Sequence, residues 1–380
     1  ASAAASRDEL TAQLRADFSV GIRPASNADW GDVLCREVAF AEGGQAAFLC
    51  HPFDQATTMR VHLGKEVWTL VDTGTGEALE TLSGEVEFAF APRDHRLLLS
   101  ETLAADLPRR PYCIPHATRP ELAIHSISAL APNVLALDYC DLSLDGERHQ
   151  NINTFTADHL AFRAHGFPAN PWSFSIQYRR AFLQRVFAPE SGFEVVYRFH
   201  IEPEAFEAVA ASLEFAVERP KLYSISVNGA PCDFRNGTSW FDEEIRKVSI
   251  KDLVQAGENT VCLRCRPFHV LAETMAVHLL GEFALRPAER GFTLIAAQPV
   301  TLGDWTKQGR PFDSFGLRYR FQFDLSEPAS GIEVDFGGEA RASLIEGAID
   351  NRPAGSTLFP HRPLELRHEL EAGEHILDLR

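Results

Sequence analysis

Two stretches near the middle of this 380-residue chain recur near its end, and that repetition limits the architecture more than any other feature. Ser224–Ala230 reads S-I-S-V-N-G-A, and Ala342–Ala348 reads A-S-L-I-E-G-A, 118 residues later. V-Q-A-G-E-N-T-V-C-L-R at 254–264 faces L-E-A-G-E-H-I-L-D-L-R at 370–380, 116 residues later. Each copy sets an apolar position before an Ala-Gly-Glu turn and follows it with an alternating strand. Asn228-Gly229 is a two-residue hairpin signal, because both residues tolerate positive φ. In the second copy Glu346 stands where the Asn stood and Gly347 keeps the Gly. The pattern predicts a duplicated antiparallel sandwich unit.

The rest of the chain agrees with an all-β protein built from tandem antiparallel sandwiches. One helix is expected at residues 1–22, where Ser6 and Glu9 form a capping box and Leu10, Leu14 and Phe18 share a face. Residues 23–103 read as a small sandwich of short strands, among them Val33–Phe40, Ala46–His51, Thr58–Leu63 and Glu85–Phe90. A linker at 104–120 carries Pro108, Pro111, Pro115 and Pro120. A larger sandwich spans 121–288, with Ala123–Ile127 among its first strands. A polar, Gly- and Pro-containing excursion interrupts it at 145–172. The third module, 289–380, opens on Thr293–Ala297 and ends on Ile376–Leu379.

A formal charge of −17 argues against nucleic acid and anionic membranes, which need clustered Lys and Arg. No apolar run approaches the roughly 20 residues of a membrane span. The chain has no initiator Met, so it reads as a processed protein or a segment of a longer one. Seven scattered Cys suggest reduced core thiols, with a lean towards a cytoplasmic setting. Cys262 and Cys265 have no second Cys or His pair to complete a zinc site. Fourteen dispersed His, with no G-x-S-x-G, P-loop or H-E-x-x-H, leave no catalytic constellation.

V-N-G, then W-F-D-E at 240–243, I-x-x-L at 250–253 and A-G-E-N-x-V-x-L-R together resemble the galactose-binding-like jelly roll of family 2 glycoside hydrolases and their rhamnosidase-type relatives. L-G-D-W-T-x-Q-G-x-P-F at 302–312 with L-R-Y-R-F at 317–321 resembles the linker and opening strands of a further such module. N-V-L-A-L-D-Y-C at 133–140 resembles the strand that opens the first module. The resemblance covers about 121–380 and implies two galactose-binding-like jelly rolls, the second short of the strands that usually complete it. It implies the C-terminal, non-catalytic region of a large bacterial glycosidase, with a catalytic domain and a carbohydrate as partners. No cofactor is expected; jelly rolls of this type often hold a structural Ca²⁺, but no ligand run marks one here.

Candidate sugar contacts are Trp240 with the acidic turn Asp242-Glu243, and Trp305 beside Asp304. The packing reading is preferred for both: Trp240 under the sandwich edge, and Trp305, within the resemblance, between domains. An independent lectin-like protein and a purely structural module remain alternatives.

Overall fold

The computed structural model describes residues 22–25, 32–41, 43–109, 120–173, 180–337, 340, 342–358 and 363–380. The expected Ser6–Phe18 helix, Trp30, Cys113 and most of the expected strand Ser173–Tyr178 lie outside the described residues. The chain divides into two compact units. One comprises Ile127–Arg318; the other comprises Ala1–Ser126 with Tyr319–Arg380.

The N-terminal sandwich sets a three-stranded sheet, Arg23–Pro24, Thr57–His62 and Glu85–Phe90, beside a five-stranded one of order Leu34–Ala39, Gln45–Cys50, His95–Ser100, Trp68–Val71, Ala78–Leu82. Alternation sends Leu49, Val61, Phe88, Phe90 and Leu98 into one core around Trp68, whose indole Nε1 donates to the Leu63 carbonyl at 3.0 Å.

The middle unit is the larger sandwich. Phe193–Ile201 buries every second residue, Phe193, Val195, Tyr197, Phe199 and Ile201. Gly257–Cys265 pairs with it along its whole length and points Val261, Leu263 and Cys265 into the same core. Facing them is the sheet Asn133–Leu137, Val277–Gly281, Glu214–Glu218, Asp242–Ser249 and Thr238–Trp240. Full burial of each large side chain contributes about 1.5–3 kcal/mol. Cys262 and Cys265, three residues apart on a strand, take opposite faces. Among the described residues no group of three His, Cys, Asp or Glu could hold a metal.

The excursion at 145–172 is more ordered than its polarity suggests. Glu147–Asn153 is a strand, and Thr154–Ala164 is a helix capped by Asn153, whose side chain accepts from the Phe155 amide at 2.9 Å. It buries Ala157, Ala161 and Phe162, a narrow stripe of mostly small residues that raises little hydrophobic signal.

The duplication holds at the level of hydrogen bonds, but its register differs from the sequence match. Phe193–Ile201 corresponds to Leu317–Leu325, because Ile201 lies opposite Gly257 as Leu325 lies opposite Gly373. Val227 faces Val261 as Ile349 faces Leu377. The hairpin equivalent to Asn228-Gly229 is therefore Asp350-Asn351, whose φ values of 50° and 64° match the 50° and 80° of the first copy. Glu346-Gly347, expected to be this turn, lies inside the strand Ile345–Ile349. Gly347 serves close packing there: a Cβ would come within 2.4 Å of a Leu366 methyl.

Two strands make pairings that are distant in sequence. Ala123–Ala129 lies beside Leu317–Leu325 in the C-terminal sheet, so the middle unit is inserted between two strands of that sheet. Phe292–Ala296 pairs with Phe283–Pro287 and, in parallel, with Phe193–Ile201 of the middle unit.

The two copies solve the same turn with different chemistry. In the first, Asn228 accepts from the Thr260 amide and donates to Asn259, whose own amide donates to the Gln255 carbonyl. In the second, Asp350 accepts from the Ile376 amide and meets His375 Nδ1 at 2.8 Å, and His375 Nε2 reaches the Glu371 carbonyl at 2.9 Å. The Asp350 hydrogen bond, then the Glu371 carbonyl, raise the His375 pKa against burial. Burial pushes Asp350 up, but the Ile376 amide and His375 outweigh it and hold the carboxyl low. The His contribution is therefore complete below its unfolded value of about 6.5 and fades as pH rises through the raised folded value. The Asp contribution is lost as pH falls through the lowered one. His375→Asn, the first copy's own choice, should flatten the decline in stability of the C-terminal sheet between about pH 6 and 9. Asp350 is 42% exposed, so solvent screening limits the effect to about 1 kcal/mol. Urea midpoints across that pH range measure it; an unchanged slope would contradict the assignment.

Candidate functional site

The sugar contacts expected from sequence fall in three places. Trp240 ends Thr238–Trp240 half-buried, packed on the outer-face cluster Val134, Ala216 and Leu280, with its ring 5.1 Å from that of His278. Asp242 is exposed and accepts from the Glu244 amide at 2.8 Å. Glu243 is exposed and lines a groove on the middle unit. Trp305 opens the short 3₁₀ turn Trp305–Gln308, which Asp304 caps by accepting from the Thr306 amide at 3.0 Å. Trp240 and Trp305 are not among the lining residues of that groove.

The surrounding segment is a structural clamp. The Gly309 carbonyl accepts from Leu285 N at 2.9 Å and from Asn133 Nδ2 at 2.8 Å. Arg310 and Asp313 form a buried ion pair at 2.7 Å, and Arg310 Nη2 donates to the Ala131 carbonyl. These bonds tie 309–313 to the first strand of the sandwich.

The groove has a volume of about 1110 Å³ and is lined by residues from both sheets of the middle unit, among them Ile225 on one and Glu243, Glu244 and Arg246 on the other. Along Asp242–Ser249 the inner face passes from Val248, packed on the core, to Arg246 and Glu244 in the groove. Arg219 sits just past Glu214–Glu218 in the left-handed region, φ 46°, a conformation unfavourable for a non-glycine residue. Its amide donates to the Glu244 carbonyl at 2.8 Å, and its guanidinium meets Glu218 at 2.7 Å, Glu244 at 3.6 Å and Glu273 at 3.7 Å. Strain at one backbone position is offset by three carboxyl contacts.

On the other wall, Asn170 is 1% exposed and donates from one nitrogen to Asp158 at 2.9 Å and to Glu273 at 2.7 Å. Its carbonyl oxygen accepts from the Trp172 amide, and Trp172 Nε1 donates to the Val270 carbonyl at 2.7 Å. The indole, edge-on to Phe182 at 6.1 Å, is thereby fixed at the groove wall. Burial, the largest cause in each case, raises the pKa of Asp158, Glu218 and Glu273, and neighbouring carboxylates add to it for the two Glu.

The groove thus offers a held aromatic ring, cationic donors and anionic acceptors within one cleft. Hydroxyl groups both donate and accept, so this mixture suits a polyhydroxylated ligand. Glycoside hydrolysis would place its scissile bond between two carboxyl groups. Here the space between Glu218 and Glu273 is taken by the Arg219 guanidinium they share.

Trp172, Arg219 and Glu273 were not legible as a site. Trp172 falls in an irregular stretch, and the three residues meet from positions some 50 to 100 apart. Asn170-Pro171-Trp172 is the one local signal: a turn-forming pair that orients a large aromatic ring.

No family model matches the chain, and no curated protein sequence does. Among solved structures it is similar in part to a rhamnosidase from Novosphingobium sp. PP1Y, at 15% identity over 71% of this chain and 26% of that chain, with a TM-score of 0.18. Similarity to the β-D-mannosidase from Dictyoglomus thermophilum is 13% identity over 64% and 30%, TM-score 0.26. For the Streptomyces avermitilis α-L-rhamnosidase it is 11% over 94% and 33%, TM-score 0.26. These partial neighbours are glycoside hydrolases. The chain spans about a quarter to a third of their length.

Proposed function

We propose that this chain is a non-catalytic accessory region of a glycoside hydrolase and that the middle unit contributes saccharide binding through its groove. The carrying observation is Trp172 held against a cleft of alternating donors and acceptors. An aromatic face covers the apolar C–H side of a pyranose ring while the rim meets its hydroxyls. Glu243 lies on that rim with Asp242 beside it in the chain; Trp240 and Trp305 take packing roles in this reading. The duplicated turn-and-strand unit and the G-D-W-T-x-Q-G-x-P-F segment support the accessory role, with catalysis supplied by a partner domain.

Calorimetric titration of the chain with a panel of neutral and acidic oligosaccharides tests this. Saturable binding with one site per chain is expected. The complete absence of heat across the panel would remove the binding role. Hydrolysis of aryl glycosides by the chain, abolished in Glu218→Gln or Glu273→Gln, would overturn the non-catalytic role.

A further inference from the structure

Two cations of the groove have no carboxylate partner among the described residues. Arg246 is half-buried on Asp242–Ser249, and its guanidinium donates to Ser239 Oγ at 2.9 Å and to the Gly237 carbonyl. Both acceptors are neutral, so they fix the side chain without cancelling its charge. A guanidinium has five N–H donors, and these bonds leave part of the fork open. Lys221, on the short turn Pro220–Leu222, is exposed and makes no ion pair among the described residues.

The other lining bases are engaged: Arg219 with Glu218, Glu244 and Glu273, and Arg235 with Asp233 at 2.6 Å. Of the lining acids, Glu243 alone lacks a basic partner among the described residues. Four lining bases meet four lining acids, so the groove has no net positive charge; what sets Arg246 and Lys221 apart is that neither has a carboxylate at contact distance among the described residues. A half-buried cation loses hydration without regaining it from a counter-charge. That loss is recovered when a ligand brings the anion.

We infer that the groove takes a saccharide carrying a carboxylate, a uronic acid unit whose carboxylate sits on the Arg246 fork with Lys221 beside it. The inference rests on the saccharide-binding role of this groove. The planar guanidinium matches a carboxylate with two parallel hydrogen bonds, a geometry an ammonium cannot reproduce. Trp172 covers the ring, and the engaged carboxyls accept from hydroxyls.

Calorimetry of the full chain at low salt, with α-1,4-linked trigalacturonate and its carboxyl-reduced counterpart, isolates the carboxylate. The acid form should bind at least about tenfold tighter. That advantage should fall to within about twofold in Lys221→Gln/Arg246→Gln. Lys221→Gln alone, at an exposed position, should reduce it about threefold and serves if the double variant fails to fold. Equal affinity for the two trisaccharides, or binding of neutral sugars alone, overturns the inference and leaves the saccharide-binding role standing. An advantage unchanged in both variants overturns the assignment to Arg246 and Lys221. Failure of every sugar in the panel to bind overturns both.

Discussion

Replacing Asp313 with Ala is expected to destabilise the middle unit by about 3–5 kcal/mol, the cost of leaving a buried charge without its partner. Asp313 has a fully buried side chain and Arg310 one that is 8% exposed, with 2.7 Å between them. The second Asp313 oxygen accepts from the Phe315 and Gly316 amides at 2.9 and 3.2 Å, so the substitution also strands two backbone donors. Arg310→Met/Asp313→Leu removes both charges at similar volume and should cost much less than Asp313→Ala alone. With two units the chain need not unfold in one step. Hydrogen exchange at the 315–317 amides reads the local effect, and urea unfolding reads the unit. A loss below about 1 kcal/mol from Asp313→Ala would contradict the clamp.

The G-D-W-T-x-Q-G-x-P-F segment runs directly into this clamp. Its Gly309 carries a φ of 79°, and a Cβ there would lie 2.8 Å from that of Ala284. The sequence at this point serves the packing of the middle unit, and the Trp305 carbonyl accepts from the Arg310 amide at 3.2 Å.

Trp172→Ala should weaken oligosaccharide binding by more than about tenfold, the scale of an aromatic anchor at the centre of an interface. Trp172→Phe keeps an aromatic face but loses the bond from Nε1 to the Val270 carbonyl. It should fall between wild type and Ala. The fold is expected to survive both, because the indole is half-buried at the edge of the core rather than within it. Affinity equal to wild type in Trp172→Ala, with unchanged far-ultraviolet circular dichroism, would contradict the role given to this ring.

The all-β architecture was legible because strand alternation and turn residues are local signals. Phe193–Ile201 and Gly257–Cys265 declare their buried faces in every second residue. The duplication was legible too, but not its register. A shared Gly in N-G and E-G suggested one alignment, whereas the backbone places the positive-φ pair at Asp350-Asn351. The same residue type satisfies two different steric demands, a left-handed turn and a close approach, and sequence cannot tell them apart.

The pairing of Ala123–Ala129 with Leu317–Leu325 was beyond sequence reasoning, because the choice of neighbour depends on long-range closure. The site was least legible of all. Glu243 alone among the expected contacts lines the groove, and the residues that give the groove its chemistry come from separate loops and strand ends. Asn170 and Arg219 each link acids distant in sequence, and no spacing rule encodes such a meeting.

If the groove bearing Trp172 is the ligand surface of this chain, a bound saccharide must perturb that ring before any other indole. Indole Nε1–H resonances of the ¹⁵N-labelled protein, followed during titration with a bound oligosaccharide, test it directly. The Trp172 signal should move to saturation while those of Trp68, Trp240 and Trp305 stay in place. Movement of Trp240 or Trp305 with Trp172 unchanged would contradict it.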